Sequence, residues 1–401
     1  MASGLATAVL LDIAREFGTP TYLFDLVALS ARLATVREIL GPSVRLCYSI
    51  KANPFLSRAA AECGYELEVC SPGELDVCRG LGIEAPAIVY SGVCKGEADV
   101  RAALDYGVGV LTAESPRQFE LVEQEARRRG LRVPVLLRLN GGSQFGMSRG
   151  DLERIVRDRE GYGAAELVGI HYFVGTQRRK LQHQRRELQM LCDLADELER
   201  RCGWRPARLE YGPGLAVPYF EGEDFSDTLA PARELAGDLQ AVAGRFDLTV
   251  EMGRFLASSC GSYLTSVVDL KDGQDDETCY AFVDGGINHV NYLGQMMGLK
   301  LPVIRNASVE GGSGGPLPRE RRPWTLCGSL CTTNDVLVRQ LDRPLAPDDV
   351  LVFENIGAYS VTESMYLFLS RAMPRVILRR GRGDYVLARD VVQTSMLNMP
   401  S

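Results

Sequence analysis

The sequence predicts a parallel (β/α)8 TIM barrel followed by a mostly antiparallel β-domain. Three observations predict it. Eight short apolar runs follow one another at strand length. Helix-length amphipathic stretches lie between them, and after Gly253 the pattern changes to β-rich runs separated by turn residues. The barrel is expected over residues 26–254. The second domain, a β-sandwich or β-barrel, is expected over 255–401 together with 1–25.

Val9, Leu10, Ile13 and Phe17 share one helical face, and Gly18 is placed to end that helix before Thr19-Pro20. The predicted barrel strands are Val44–Ile50, Glu66–Cys70, Ala87–Ser91, Val108–Thr112, Val133–Leu139, Leu167–Phe173, Arg208–Tyr211 and Leu248–Glu251. Gly73–Leu81, Ser115–Arg129 and Arg185–Arg201 read as helices between them. Beyond Gly253, strands are expected at Ser262–Leu270, Cys279–Val283, Val350–Phe353, Arg375–Arg379 and Asp384–Ala388. Asn306–Pro323 is rich in Gly, Pro and charge and reads as a surface loop.

Composition narrows the function. A chain of 401 residues with 46% hydrophobic content has room for two domains. Its net charge of -7 argues against a dedicated nucleic-acid binder. No apolar run approaches the roughly 20 residues of a membrane span, and the N-terminus lacks a basic leader. Eleven cysteines without zinc spacing read as reduced thiols, so a cytoplasmic protein is expected. With only His171, His183 and His289, no histidine metal site is expected.

Barrel enzymes carry their chemistry at the C-terminal ends of the strands. Lys51 stands there after an apolar strand, in a chain with only five lysines. Desolvation lowers an ammonium's pKa, and a neutral amine can form a Schiff base. The plainer alternative is a lysine snorkelling at a strand end. Other strands end at Arg138, at Gly175-Thr176, at Gly212-Pro213-Gly214 and at Glu251-Met252-Gly253-Arg254. An amine, a carboxylate, arginines and two Gly-containing turns thus converge on one rim. Such turns let backbone N–H groups approach a phosphate, which an arginine can neutralise.

The resemblance that follows is specific. Tyr48-Ser49-Ile50-Lys51-Ala52-Asn53, Gln144-Phe145-Gly146-Met147 and Gly169–Gln177 resemble motifs of the fold-type III, alanine-racemase-like pyridoxal-phosphate decarboxylases. So do Gly212–Tyr219, Glu251–Arg254, Val283–Gly286, Cys331–Asp335 and Gly357-Ala358-Tyr359, in the order of that family. The family includes the diaminopimelate, ornithine and arginine decarboxylases. The resemblance implies that Lys51 holds pyridoxal 5'-phosphate and that Glu251 pairs with its pyridine nitrogen, which makes the ring an electron sink. It implies that Thr176, Gly212, Gly214, Gly253, Arg254 and Tyr359 surround the phosphate, and that Glu68 and Arg138 support the ring. Cys331 matches a cysteine donated across a homodimer interface to protonate Cα, so shared active sites are expected. Cys47, Cys63, Cys70 and Cys327 match no motif position and read as structural.

Three departures stand out. Phe173 occupies the position of the family's ring-stacking histidine; it can stack but cannot titrate. His171 points to the same side of the strand, without inheriting that role. Pro213 replaces the middle glycine of a Gly-Gly-Gly turn and removes a backbone donor.

The substrate end differs as well. Thr332 stands where diamine-forming members carry an acid, Leu293 where the ornithine class has a second acid, and Tyr292 near the arginine of the diaminopimelate class. A charged group left unpaired in a closed pocket costs about 1–3 kcal/mol or more. Tyr292, Thr332 and Tyr359 are therefore expected to meet a substrate with an uncharged distal end. Gly-Thr-Gln and Cys-Thr-Thr-Asn-Asp resemble the specialised-metabolism branch, such as the butirosin-pathway enzyme that decarboxylates a glutamyl group on an acyl carrier protein. The expected activity is α-decarboxylation of a modified or carrier-linked amino acid. The alternatives are a free amino acid such as diaminopimelate, or a racemase or epimerase on the same fold.

Overall fold

The computed structural model describes residues 5–273, 278–292, 299–312 and 321–400. The chain divides into two compact units. A barrel unit comprises 30–217 and 228–256, and a β unit comprises 1–29, 218–227 and 257–401. Residues 218–227 lie between the last two barrel strands in sequence, yet they group with the β unit.

The barrel unit holds a closed ring of eight strands. They are Arg45–Ser49, Glu66–Val69, Ile88–Tyr90, Val110–Ala113, Val133–Arg138, Ala165–Phe173, Arg208–Gly212 and Asp247–Met252. Each pairs in parallel with the next, and the first closes on the last through Cys47↔Glu251 and Tyr48↔Met252. Ile88–Tyr90, Val110–Ala113 and Arg208–Gly212 are buried along their whole length, as parallel strands with both faces covered must be.

Three of the helices after the strands begin on serine caps. Ser71, Ser115 and Ser148 each accept a hydrogen bond from the backbone N–H three residues on, at 3.2, 3.2 and 3.1 Å. Proline follows the cap in the first two, at Pro72 and Pro116, where its missing N–H costs nothing. The strands and helices predicted for this region all form, with ends shifted by at most a few residues.

The β unit is built on a nine-stranded sheet among the described residues. Along the main path the order is Val336–Pro344, Arg321–Cys327, Cys279–Val283, Gly261–Lys271, Thr21–Asp25, Arg375–Gly381 and Asp384–Arg389. Val350–Glu354 pairs with Gly261–Lys271 and with Ile304–Asn306. Most pairings are antiparallel, and two are parallel. The helix Thr7–Phe17 packs Leu10, Leu11 and Ile13 against Leu23, Leu264, Val352 and Ile377. It ends on Gly18 in the left-handed region, at φ 75°.

The expected loop at Asn306–Pro323 is corrected in part. Asn306 ends a strand, and its side chain caps a short helix, Ala307–Glu310, by accepting from Val309 N–H at 3.1 Å. Arg321–Pro323 open a strand. Pro323 is tolerated because the parallel pairing on that side begins only at Trp324. Residues 313–320 lie outside the described residues. No described helix is long and apolar enough to cross a membrane.

Candidate active site

In the barrel unit, Lys51 sits in a short 3-10 turn directly after the first strand. Its Nζ lies 2.7 Å from Oε2 of Glu68 on the second strand, and 3.5 Å from Oε1 of Glu251 on the eighth. The lysine side chain is 34% exposed, whereas the two carboxylates are 3% and 5% exposed. An amine open to a small molecule is therefore backed by two buried acids.

Glu251 is held on both oxygens. Ser49 donates its hydroxyl to Oε1 at 2.8 Å, and Nε2 of His171 lies 3.0 Å from Oε2. Burial works against the charged carboxylate. The Lys51 ammonium and the His171 hydrogen bond outweigh it, and the pKa falls well below the ordinary carboxylate value. Glu251 is thus a buried anion across the working pH range.

Cys70 adjoins the same amine. Its Sγ lies 3.5 Å from Lys51 Nζ and 3.0 Å from Oε1 of Glu68. Burial, and then the charge of Glu68, push its thiol well above the ordinary cysteine value, so it stays protonated. A purely structural role for Cys70 does not describe this position. The thiol donates to the carboxylate that receives Lys51. Glu74 anchors the turn by accepting from Cys70 N–H at 2.7 Å.

Arg138 ends the fifth strand, buried and ion-paired to Glu114, with its guanidinium 4.9 Å from the centre of the Phe145 ring. Glu114 also accepts from Gly146 N–H at 2.9 Å, which ties down the Gln144–Met147 segment. The Nε of Arg138 is buried without a protein partner. Thr176 and Arg254 meet at the rim, where Arg254 Nε donates to the Thr176 hydroxyl at 3.3 Å.

Phe173 and Gly212 pair directly across the sixth and seventh strands. A Cβ on Gly212 would come within 2.5 Å of the Phe173 ring. Gly214 adopts φ 60°, and a Cβ there would reach 1.8 Å from the Gly175 carbonyl, so both positions of this turn require glycine. Pro213 offers its carbonyl to Gln184 Nε2 at 3.0 Å. Gly253 follows the eighth strand and packs against Ser49 and Ala52.

The remaining predicted site residues lie in the β unit. Cys331 is exposed, and Thr332 is half-buried beside it. Asp335 shapes their loop, accepting from Leu330 N–H at 2.7 Å and from Ile287 N–H at 2.8 Å. Tyr359 adopts φ 69° and ψ -43°, a strained backbone for a non-glycine residue. Tyr292 is 1% exposed, donates its hydroxyl to the Glu354 carbonyl and packs edge-on against Tyr219. That is a core position, so substrate contact by Tyr292 finds no support in this geometry. Leu293 lies outside the described residues.

Ser49, Cys70, Glu114 and the His171 contact escape sequence reasoning. Glu114 follows the fourth strand directly, so the strand-end rule applied to the other strands could have found it.

The donor set fits pyridoxal phosphate. One half-buried amine is flanked by buried carboxylates, a buried guanidinium nitrogen of Arg138 has no hydrogen-bond partner, and a hydroxyl and an arginine stand at the rim. Residues 26–258 match the family described as pyridoxal-dependent decarboxylase, pyridoxal binding domain. The chain is 28% identical over 422 residues to L-glutamyl-[BtrI acyl-carrier protein] decarboxylase from Niallia circulans, covering 98% of this chain and 97% of that protein. It is 29% identical over 406 residues to diaminopimelate decarboxylase from Pseudomonas aeruginosa, covering 95% and 92%. In fold it resembles the crystal structure of diaminopimelate decarboxylase from M. jannaschii in complex with L-lysine, at TM-score 0.85 and 21% identity over 97% of this chain and 93% of that one. The chain belongs to the fold-type III pyridoxal-dependent decarboxylases, with pyridoxal 5'-phosphate as its cofactor.

Proposed function

We propose that the chain removes the α-carboxylate of an amino acid whose side chain is masked or carried on an acyl carrier protein. The observation that carries this reading is Thr332, an uncharged residue after Cys331 where a diamine-forming enzyme needs an acid. A substrate with a distal ammonium would lose its charge partner there. The near full-length likeness to an enzyme named for a carrier-linked glutamyl substrate supports the same class.

Bound pyridoxal phosphate supplies an electron sink for the electron pair left on the α-carbon when CO2 departs. Lys51 would hold the cofactor, and Glu68, 2.7 Å from Nζ, is placed to take the amine's proton. Glu251, kept ionised, would pair with the ring nitrogen. Thr176, Gly212, Gly214, Gly253, Arg254 and Tyr359 would hold the phosphate. Arg138 would support the cofactor ring, with Phe173 stacked on it. Tyr359 and Thr332 would line the substrate end, and Cys331 of the partner subunit would deliver the proton to Cα, which makes the active form a homodimer.

The test is CO2 release from a panel containing free glutamate, lysine, ornithine and diaminopimelate beside γ-glutamyl thioesters and γ-glutamyl amides. The reading expects turnover of the masked compounds well above the free ones. Preference for a free dibasic or diacidic amino acid would contradict it.

A further inference from the structure

We propose that His171 is a positioning residue for this site, donating its Nε2–H to Glu251 and so holding that carboxylate ionised and aimed. The proposal rests on the decarboxylase reading and deepens it. Strand register sets the arrangement. Arg138, His171, Glu210 and Thr249 pair in sequence across four neighbouring strands, and Glu251 lies two residues beyond Thr249 on the same face. His171, Glu210 and Glu251 are all buried, and one ligand atom from each falls within 4.8 Å of the others.

The proton's place follows from the partners. Nε2 and Oε2 are 3.0 Å apart, and an ionised carboxylate has only lone pairs to offer. The shared proton therefore sits on nitrogen. Ser49 serves the other oxygen at 2.8 Å, so Glu251 receives one donor on each side. A carboxylate anchored in this way cannot rotate away from a ring nitrogen set before it.

A histidine kept only for packing would be satisfied at both nitrogens. Here Nδ1 of His171 and Oε1 of Glu210 are both buried without partners. Buried polar atoms are nearly always paired, and each exception calls for a reason, which a role at the site supplies here. Glu210 is further held by Arg208, whose Nη2 lies 3.2 Å from its Oε2. Burial raises the Glu210 carboxyl, with Arg208 and His171 opposing. Phe173 has taken the nearby position that carries a histidine elsewhere in the family, which leaves His171 as the one imidazole on this strand.

Only three histidines are present, so the test is direct. In 15N-histidine-labelled protein without cofactor, subtraction of the His171→Gln spectrum assigns His171. The expected ring is protonated on Nε2; a ring protonated on Nδ1 alone overturns the proposal. In the loaded enzyme, His171→Leu is expected to take up cofactor on Lys51, seen by absorbance and by mass after borohydride reduction. Its kcat should fall about 10-fold to 150-fold, as for one lost hydrogen bond to a charged group, with KM little changed. The acid limb of its kcat profile should move to higher pH, and His171→Gln, which keeps a donor at that reach, should recover most of the loss. Wild-type kcat and pH profile in His171→Leu overturn the proposal. If the leucine variant fails to fold, the spectrum of the unsubstituted protein and the glutamine variant decide. If wild type loads cofactor and releases no CO2, the functional reading fails, while the ring's tautomer still decides the role of His171.

Discussion

Ser49 donates its hydroxyl to Oε1 of Glu251 at 2.8 Å, across 202 residues of sequence. The contact exists because the first and last barrel strands pair, with Cys47 opposite Glu251. Closing the barrel therefore assembles the site. The step that buries Glu251 also brings its donors and the Lys51 amine against it.

Glu251 links the site to acid stability. Its carboxyl lies well below the ordinary value when folded and returns to that value of about 4.5 when the chain unfolds. A depressed carboxyl contributes stability that is fully present above the unfolded pKa and is lost as pH falls through the folded one. Urea unfolding of the cofactor-free protein should show stability falling as pH drops below about 4.5, and Glu251→Gln should flatten that slope. An unchanged slope in the variant would remove Glu251 as its source.

His289 gives the β unit its own pH dependence. Burial lowers its pKa to about 4, while it accepts from or donates to Tyr263, Asn288 and Ala372. A histidine kept neutral by folding leaves stability intact above pH 6.5. Between 6.5 and 4 the unfolded chain binds the extra proton and stability falls, by about 3 kcal/mol in total. His289→Gln should lose most of that dependence over the same window, read by thermal melts at fixed ionic strength.

Glu68 lies 2.7 Å from Lys51 Nζ, with Cys70 donating to its other oxygen. Glu68→Gln should retain the fold and lower kcat on the order of 100-fold, the usual size of a lost acid–base group. Cys70→Ser keeps a donor at that place and should change kcat by no more than about threefold, within the ordinary scatter of a retained hydrogen bond. Steady-state kinetics under saturating cofactor separate the two.

Cys331 is exposed on a loop pinned by Asp335, so Cys331→Ala should fold normally. If the site is shared between copies, Lys51→Ala and Cys331→Ala are each inactive alone, and mixing them regenerates one intact site in half of the dimers. Activity should return to about a quarter of the wild-type value per site under random assortment in a two-fold dimer. No recovery on mixing would place both residues in one chain's own site.

The barrel was legible because its strands are short apolar runs and three of its helices open on Ser or Ser-Pro. The β unit was less so. Thr21–Asp25 finds its partners at Gly261–Lys271 and Arg375–Gly381, pairings that no local pattern announces. Arg321–Cys327 and Val336–Pro344 are strands laced with arginine, proline and a register shift, so alternation is blurred. At the site, Lys51 and Glu251 could be read from motif order. Ser49, Cys70 and His171 could not, because short or half-polar side chains gain their role only from the register between strands far apart in sequence.

The most direct test is carboxyl-labelled CO2 release by the purified, cofactor-loaded protein, run beside Lys51→Ala. The expected result is labelled CO2 from a γ-masked glutamyl substrate, amine product in equal amount, and neither from the variant. Exchange of the Cα proton for solvent deuterium with the carboxylate retained would contradict it.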